Sequence, residues 1–381
     1  MDIVKKVLKK LGYTEKVTDK IINTHGLERY NSETLIEKVT GIYNCFIELG
    51  YSKCDVVKMT TRLPIIYSLS VENILEKIKG VQKLGYTKEE IIKMSKRLPS
   101  IYSISIDNMK EKINIMEKLG YSKKEIIKMT KIQPTIYGLS PENIQEKIKG
   151  MQEFGYTREK VIKMTKIFPA IYGYNLESMK EKLEKMQELG YTKEDVMKIT
   201  QILPTVYGYS IANIKAKLEQ IQALGYSREE VINMTKNSPT IYSSSIENMQ
   251  DKIEFYNLIN LQSILVKKPK LLMQSTELAY ARYMYYKENG LEINETNYRK
   301  LFIEQKQFEK QYGLTNKELI EKYDYKKYKE EKSTQALGKE TINEQKETAY
   351  INETVKLITQ QEKEIMNSQK LNKIEMRVQM K

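Results

Sequence analysis

The sequence predicts an all-α fold, a right- or left-handed α-solenoid of about seven to eight helical repeats, and three observations carry that prediction. First, Gly50-Tyr51-Ser52, Gly85-Tyr86-Thr87, Gly120-Tyr121-Ser122, Gly155-Tyr156-Thr157, Gly190-Tyr191-Thr192 and Gly225-Tyr226-Ser227 recur every 35 residues. Pro64, Pro99, Pro134, Pro169, Pro204 and Pro239 keep the same step, as do Tyr67, Tyr102, Tyr137, Tyr172, Tyr207 and Tyr242. A fixed period of this length marks a repeat array. Second, each unit carries start and stop signals for two short helices. Third, a unit this small cannot bury its own apolar stripe, so neighbours must stack.

The unit from Gly120 to Phe154 illustrates the signals. Ser122 and Glu125 form a capping box, in which each side chain satisfies one orphan backbone donor at a helix start. Ser52/Asp55, Thr87/Glu90, Thr192/Asp195 and Ser227/Glu230 repeat it, whereas Thr157 is followed by Lys160 and has a weaker cap. Ile126, Ile127 and Met129 fit one stripe of a helix of about three turns. Pro134 ends that helix, because proline lacks the donor and disfavours helical geometry in the residue before it. Ile136-Tyr137-Gly138-Leu139 is long enough only for a tight turn or a piece of 3₁₀ helix. Ser140 caps a second helix with Pro141 at its first position and Glu142 in its first turn. Its stripe is Ile144, Ile148 and Met151, and Gly155 closes it as a left-handed cap.

Four segments follow from this reading: an N-terminal capping repeat over 1–49, six tandem repeats over 50–259, a C-terminal repeat and cap over 260–330, and a polar tail over 331–381. In the first, Leu11-Gly12-Tyr13-Thr14 repeats the start signal, and Ser32 to Lys38 resembles a second helix with Leu35 and Val39 inward. In the third, Lys267-Lys268-Pro269-Lys270-Leu271-Leu272 is a further proline step. A helix over Glu277 to Glu288 carries Tyr280, Tyr283, Tyr285 and Tyr286, and another helix is expected from about Glu295 to Gly313. The tail, rich in Lys, Glu, Gln, Asn and Thr, reads as disordered or as a solitary helix with a weak stripe at Ile351, Val355 and Ile358.

Composition narrows the function. The chain has 64 Lys+Arg against 50 Asp+Glu, a net charge of +14, and a single histidine, His25. One imidazole speaks against His-based catalysis or a His-rich metal centre, and His25 is expected at a turn beside Gly26. Cys45 and Cys54 do not recur between repeats, so neither a disulfide framework nor a thiolate site is suggested. No phosphate loop or nucleophile–base set is present. The expectation is a non-enzymatic, cofactor-free monomer. No stretch is long and apolar enough to span a membrane. Asp2, Glu15 and the lack of an apolar core run argue against a signal or transit peptide, giving a cytoplasmic expectation.

Basic residues gather just ahead of each proline: Lys58 and Arg62; Lys93, Lys96 and Arg97; Lys128 and Lys131; Lys163 and Lys166; Lys198; Lys236; then Lys267 and Lys268. Stacking should bring them to one edge of the array, where they are the candidate nucleic-acid-binding residues. A second series, Lys77, Lys112, Lys147, Lys182, Lys217 and Lys252, flanks the inward stripe of the second helix. Those stems are expected to lie over apolar surface with their heads in water. Charge is uneven: Gly50–Leu84 has six basic and three acidic residues, Gly225–Ile259 three and five. The tyrosines after each proline could stack on unpaired bases, but packing between helices with a wet hydroxyl is favoured.

Leu119-Gly120-Tyr121-Ser122, the short amphipathic helix, the basic residues before Pro134, the capping Ser140 and a closing Leu-Gly or Phe-Gly resemble the mitochondrial transcription termination factor (mTERF) repeat. The resemblance covers about Leu11 to Tyr325. Pentatricopeptide repeats share a near-35 period, but their proline follows the closing glycine closely, whereas here it lies 14 residues later. The resemblance implies a curved solenoid whose basic inner groove takes double-stranded DNA, or RNA in some members, in transcription regulation, transcription termination or ribosome assembly. The chain departs from the family in lacking a recognisable transit peptide, in having Ile-Tyr where two leucines are usual, and in the likeness of its repeats. The first departure points to a bacterial or other non-organellar setting. Duplex DNA is the expected partner, with RNA binding in ribosome assembly or a protein-interaction scaffold as the alternatives.

Overall fold

Every repeat starts at a glycine that bends the chain into left-handed backbone. Gly50, Gly85, Gly120, Gly155, Gly190 and Gly225 have φ between +99° and +113°, a region an L side chain rarely enters. At Gly120 the turn is closed by two reversed hydrogen bonds, Gly120 N–H to the Glu117 carbonyl at 3.0 Å and Tyr121 N–H to that of Met116 at 3.1 Å. The next residue caps a ten-residue helix. The computed structural model describes residues 1–334 and 345–356. In it the first helices of the six repeats are Lys53–Arg62, Lys88–Arg97, Lys123–Ile132, Arg158–Ile167, Lys193–Ile202 and Arg228–Asn237.

Reciprocal capping boxes form at Ser52, Thr87, Ser122, Thr192 and Ser227. At Thr157 only half of the box exists, because Lys160 has no carboxylate to send back. The residue before each proline leaves the helix, as with Gln133 at φ −130° and ψ 76°. The proline then opens a 3₁₀ turn such as Pro134–Gly138. The second helices follow: Val71–Lys83, Ile106–Lys118, Pro141–Glu153, Leu176–Glu188, Ile211–Gln222 and Ile246–Leu258. Ile144, Ile148 and Met151 are buried along one side, as their spacing requires. Within the first unit, first helices pack on first helices of the next repeat, as Lys53–Arg62 on Lys88–Arg97 and Lys193–Ile202 on Arg228–Asn237, and second helices on second, as Val71–Lys83 on Ile106–Lys118, which gives two layers.

Hydrogen bonds tie each repeat to the next. The phenol of Tyr86 lies 2.6 Å from Thr130 Oγ1 and 2.5 Å from the Tyr137 hydroxyl, all buried. Thr130 spends its own proton on the Ile126 carbonyl, 2.7 Å away. Tyr86 therefore donates to Thr130 and accepts from Tyr137. The same relay joins Tyr51 to Ser95 and Tyr102, Tyr121 to Thr165 and Tyr172, Tyr156 to Thr200 and Tyr207, and Tyr191 to Thr235 and Tyr242. Tyr13 of the N-terminal segment enters it through Thr60 and Tyr67. The post-proline tyrosines thus pack between helices as expected, but their hydroxyls are dry. Burial raises the Tyr67, Tyr102 and Tyr172 phenols well above their usual range. Tyr226 stands apart. Its hydroxyl is buried without a partner, and desolvation pushes it up to about 12.

The second-helix lysines form another set of ties. Lys77 donates to the Ile104 carbonyl, Lys147 to Tyr174, Lys182 to Tyr207 and Tyr209, and Lys217 to Ser244 at 2.7 Å. Each acceptor lies just ahead of the next repeat's second helix. The role is structural, as the flanking position suggested, but the heads leave water to bond backbone. Desolvation accordingly lowers the Lys77, Lys147 and Lys182 ammonium pKa values.

Two compact units are present, Met1–Ile246 and Glu247–Lys381. The first unit opens with helices Asp2–Lys10, Glu15–Ile22 and Ser32–Leu49, and Leu35 and Val39 face inward. His25 sits in a turn, its Nδ1 3.0 Å from Glu28. The second unit is organised around Arg282, which is 1% exposed. Its guanidinium donates to the carbonyls of Leu301 (3.1 Å) and Ile303 (2.6 Å) and to Asn316 Oδ1 (2.9 Å). It also lies over the Phe308 ring. Tyr280 packs against Tyr325 and Tyr328, and Tyr285 and Tyr286 against Phe308 and Tyr312.

The helix expected from Glu295 to Gly313 is instead a 3₁₀ turn, Tyr298–Phe302, and a separate helix, Gln305–Tyr312. Asn294 and Asn297 explain the break. Asn297 Oδ1 accepts from Asn294 N–H, and Asn294 Oδ1 from Thr296 N–H, bonds that compete with helix formation. Of the tail, 331–334 continues a helix from 325, and 345–356 is helical with Ile351 and Val355 exposed. Ile358 lies outside the described residues. Among those residues, no helix is long and apolar enough to cross a membrane.

Candidate nucleic-acid interface

The pre-proline cations fall into three positions of the ten-residue first helix, and each position has a different fate. The core takes the fourth, seventh and eighth residues, for example Val56, Met59 and Thr60. The sixth points away from that core, and it is Lys58, Lys93, Lys128, Lys163 and Lys198 in the first five repeats. All five are exposed. None has a carboxylate within ion-pair distance among the described residues, although Lys198 donates to Asn237 Oδ1 at 3.1 Å. One turn earlier the second residue is Cys54, Glu89, Lys124, Glu159 or Glu194, so positive potential is least opposed in repeats 1 and 3.

The ninth residue is consumed within the array. Lys96 pairs with Asp55 at 2.6 Å, Lys131 with Glu90 at 2.6 Å, Lys166 with Glu125 at 2.7 Å and Lys236 with Asp195 at 3.7 Å. The carboxylate in each pair is the capping-box residue of the preceding repeat. The paired lysine is the main reason the Asp55 and Glu90 carboxyls lie below the usual range and Glu125 is lowered to about 2. The junction between repeats 4 and 5 lacks the pair on both sides at once, with Lys160 in the carboxylate position and Gln201 in the lysine position.

The tenth residue is arginine only in repeats 1 and 2. Arg62 donates to the carbonyls of Lys96 and Arg97, each at 3.1 Å, and Arg97 donates to that of Ile132 at 2.5 Å. They satisfy open carbonyls at the end of the next first helix. In the second unit, Lys267 pairs with Glu295 at 3.0 Å while Lys268 is exposed.

The sorting separates an exposed lysine ladder from cations that hold the scaffold. It also exposes a series that the pre-proline pattern misses. The first residue of the same six helices is Lys53, Lys88, Lys123, Arg158, Lys193 and Arg228. A helix N-terminus disfavours positive charge, so an unbroken run of cations there runs against the local preference. Two of them reach back to the end of the repeat before the preceding one, Arg158 to the Lys118 carbonyl at 3.3 Å and Arg228 to that of Leu189 at 2.6 Å. The strict 35-residue period was the signal that could have found the series.

Charge is divided between the layers. The first helices of repeats 1–4 hold fifteen Lys and Arg against five Asp and Glu, and those of repeats 5 and 6 hold four of each. The six second helices hold fourteen basic and sixteen acidic residues, and most of their basic periodic residues are bonded to backbone. Positive charge is therefore concentrated in the first helices, most strongly over the first four repeats.

An all-α array of proline-stopped helix pairs repeated at a fixed period defines a class, the α-helical repeat proteins. Within it, the mTERF family model matches residues 2–149 and again 135–309, and the chain belongs to the mTERF family. That family is one of helical-repeat, non-enzymatic proteins that bind nucleic acids and act in transcription termination. No curated protein matches the chain.

Proposed function

We propose that this chain is a non-enzymatic scaffold that holds double-stranded DNA against its first-helix layer, in the regulation or termination of transcription. The observation that carries the reading is the ladder Lys58, Lys93, Lys128, Lys163 and Lys198, exposed and without carboxylate partners among the described residues. Lysine side chains at such a spacing neutralise phosphates and carry no sequence information themselves. A duplex fits better than unpaired strands, because the periodic tyrosines that could stack on bases are committed to the buried relay. Family membership supports the transcriptional role.

The test is affinity for a fluorescent 20-base-pair duplex at rising salt. Neutralising four or five phosphates predicts a slope of log K on log salt of about −4. A flat response, or no binding at low salt, removes the reading. A matched RNA duplex and a single strand in the same titration decide between DNA and RNA.

A further inference from the structure

Where repeats 1 and 2 end their first helix in a capping arginine, repeats 3, 4 and 5 end it in isoleucine. Ile132, Ile167 and Ile202 are 45%, 59% and 47% exposed. Single exposed aliphatic residues are ordinary. Three at one position of consecutive repeats are not, because stacking sets them side by side as one stripe of a few hundred Å², a size at which apolar patches on monomers are often functional. The position carries no packing demand, since Arg62 and Arg97 precede it and Asn237 follows it.

We propose that this stripe docks an amphipathic helix of a protein partner, with apolar residues seven apart and acidic residues along one flank. Spacing and charge both argue for it. Packed helices lie about 8–10 Å apart, so neighbouring isoleucines are separated by about that distance. A helix laid across them rises about 10.5 Å in seven residues, one apolar residue per repeat. One turn before each isoleucine stands an exposed lysine, Lys128, Lys163 or Lys198. A complementary helix therefore carries acidic residues along the flank that meets those lysines. The stripe is too small for a stable contact between two copies of the chain, which needs about 800 Å² from each.

The probe is a lactam-stapled, fluorescein-labelled 21-residue helix with leucines seven apart and glutamates on one flank, titrated into the full chain. It should bind, and Ile132→Ser/Ile167→Ser/Ile202→Ser should weaken it at least about ten-fold while leaving duplex affinity unchanged. Asn237→Ile adds a fourth rung and should tighten a 28-residue version. Binding that survives the triple serine variant, or that is no weaker when the glutamates become lysines or the leucines are irregularly spaced, overturns the proposal. Duplex binding is read in parallel on the same samples, so its absence tells against the DNA reading and not against this one.

Discussion

Tyr86→Phe and Tyr226→Phe remove the same hydroxyl from the same place in two repeats, and the structure predicts opposite results. At Tyr86 the hydroxyl receives the Tyr137 proton over 2.5 Å and donates to Thr130 over 2.6 Å. Thr130 is 0% exposed and keeps its backbone bond, but Tyr137 is left with a buried, unpaired donor. A stranded buried polar group costs about 1–3 kcal/mol. For a unit of this size that corresponds to about 2–4 °C in Tm for each kcal/mol. The Tyr226 hydroxyl is buried with no partner to lose, so its removal should be neutral or stabilising. Urea denaturation of the two variants beside the parent reads the difference as a shift in midpoint at constant slope. Thr130→Val combined with Tyr86→Phe should cost less than the sum of the two singles, because both break one relay. Equal losses for Tyr86→Phe and Tyr226→Phe, or strict additivity at Tyr86 and Thr130, would refute the reasoning.

Other expectations follow from the same contacts. Replacing Lys58, Lys93, Lys128 and Lys163 with alanine should leave the melting curve in place and flatten the salt dependence of duplex binding by about 3–4 units of slope, measured by anisotropy. Alanine at Lys96, Lys131 and Lys166 should instead lower the melting midpoint. Lys160→Glu should complete the Thr157 capping box and stabilise by itself, and adding Gln201→Lys should install the missing inter-repeat pair and stabilise by about a further 0.2–1 kcal/mol, whereas Gln201→Lys alone should not. The Asp55, Glu90 and Glu125 carboxyls are depressed in the fold, so their contribution is complete above about pH 4.5 and is lost as pH falls toward 2. Glu125→Gln should shrink that acid-side loss in a pH series of denaturation curves. Gly80→Ala should destabilise, because a Cβ there meets Ile106 Cγ1 at 2.7 Å.

The scaffold was legible because its signals are local. A glycine, a cap three residues from its carboxylate, and a proline fix each helix without reference to the rest of the chain. Contacts between repeats were not, since the relay pairs residues 44 and 51 apart and the ion pairs residues 41 apart. One such clue was present: Lys160 and Gln201 depart from the pattern together at that separation. The pre-proline cations looked alike because periodicity sees position along the helix and not direction around it. Lys128 and Lys131 differ by three residues, yet one faces solvent and the other reaches back to Glu90. Past Ile259 the period fails, since the next proline step is 30 residues and not 35, and past Glu288 asparagine side chains that bond their own backbone decided the geometry instead.

Because the Tyr–Thr–Tyr relay is the same at junction after junction, the seam between two modules does not record which modules they are. Excising or duplicating one whole 35-residue block between Gly50 and Leu224 therefore leaves every surviving seam with its relay. Such edits should change the reach of the lysine ladder by one rung at a time. The exception is a splice that parts Lys160 from Gln201, which would set two ammonium groups, or a lone carboxylate, across the new boundary.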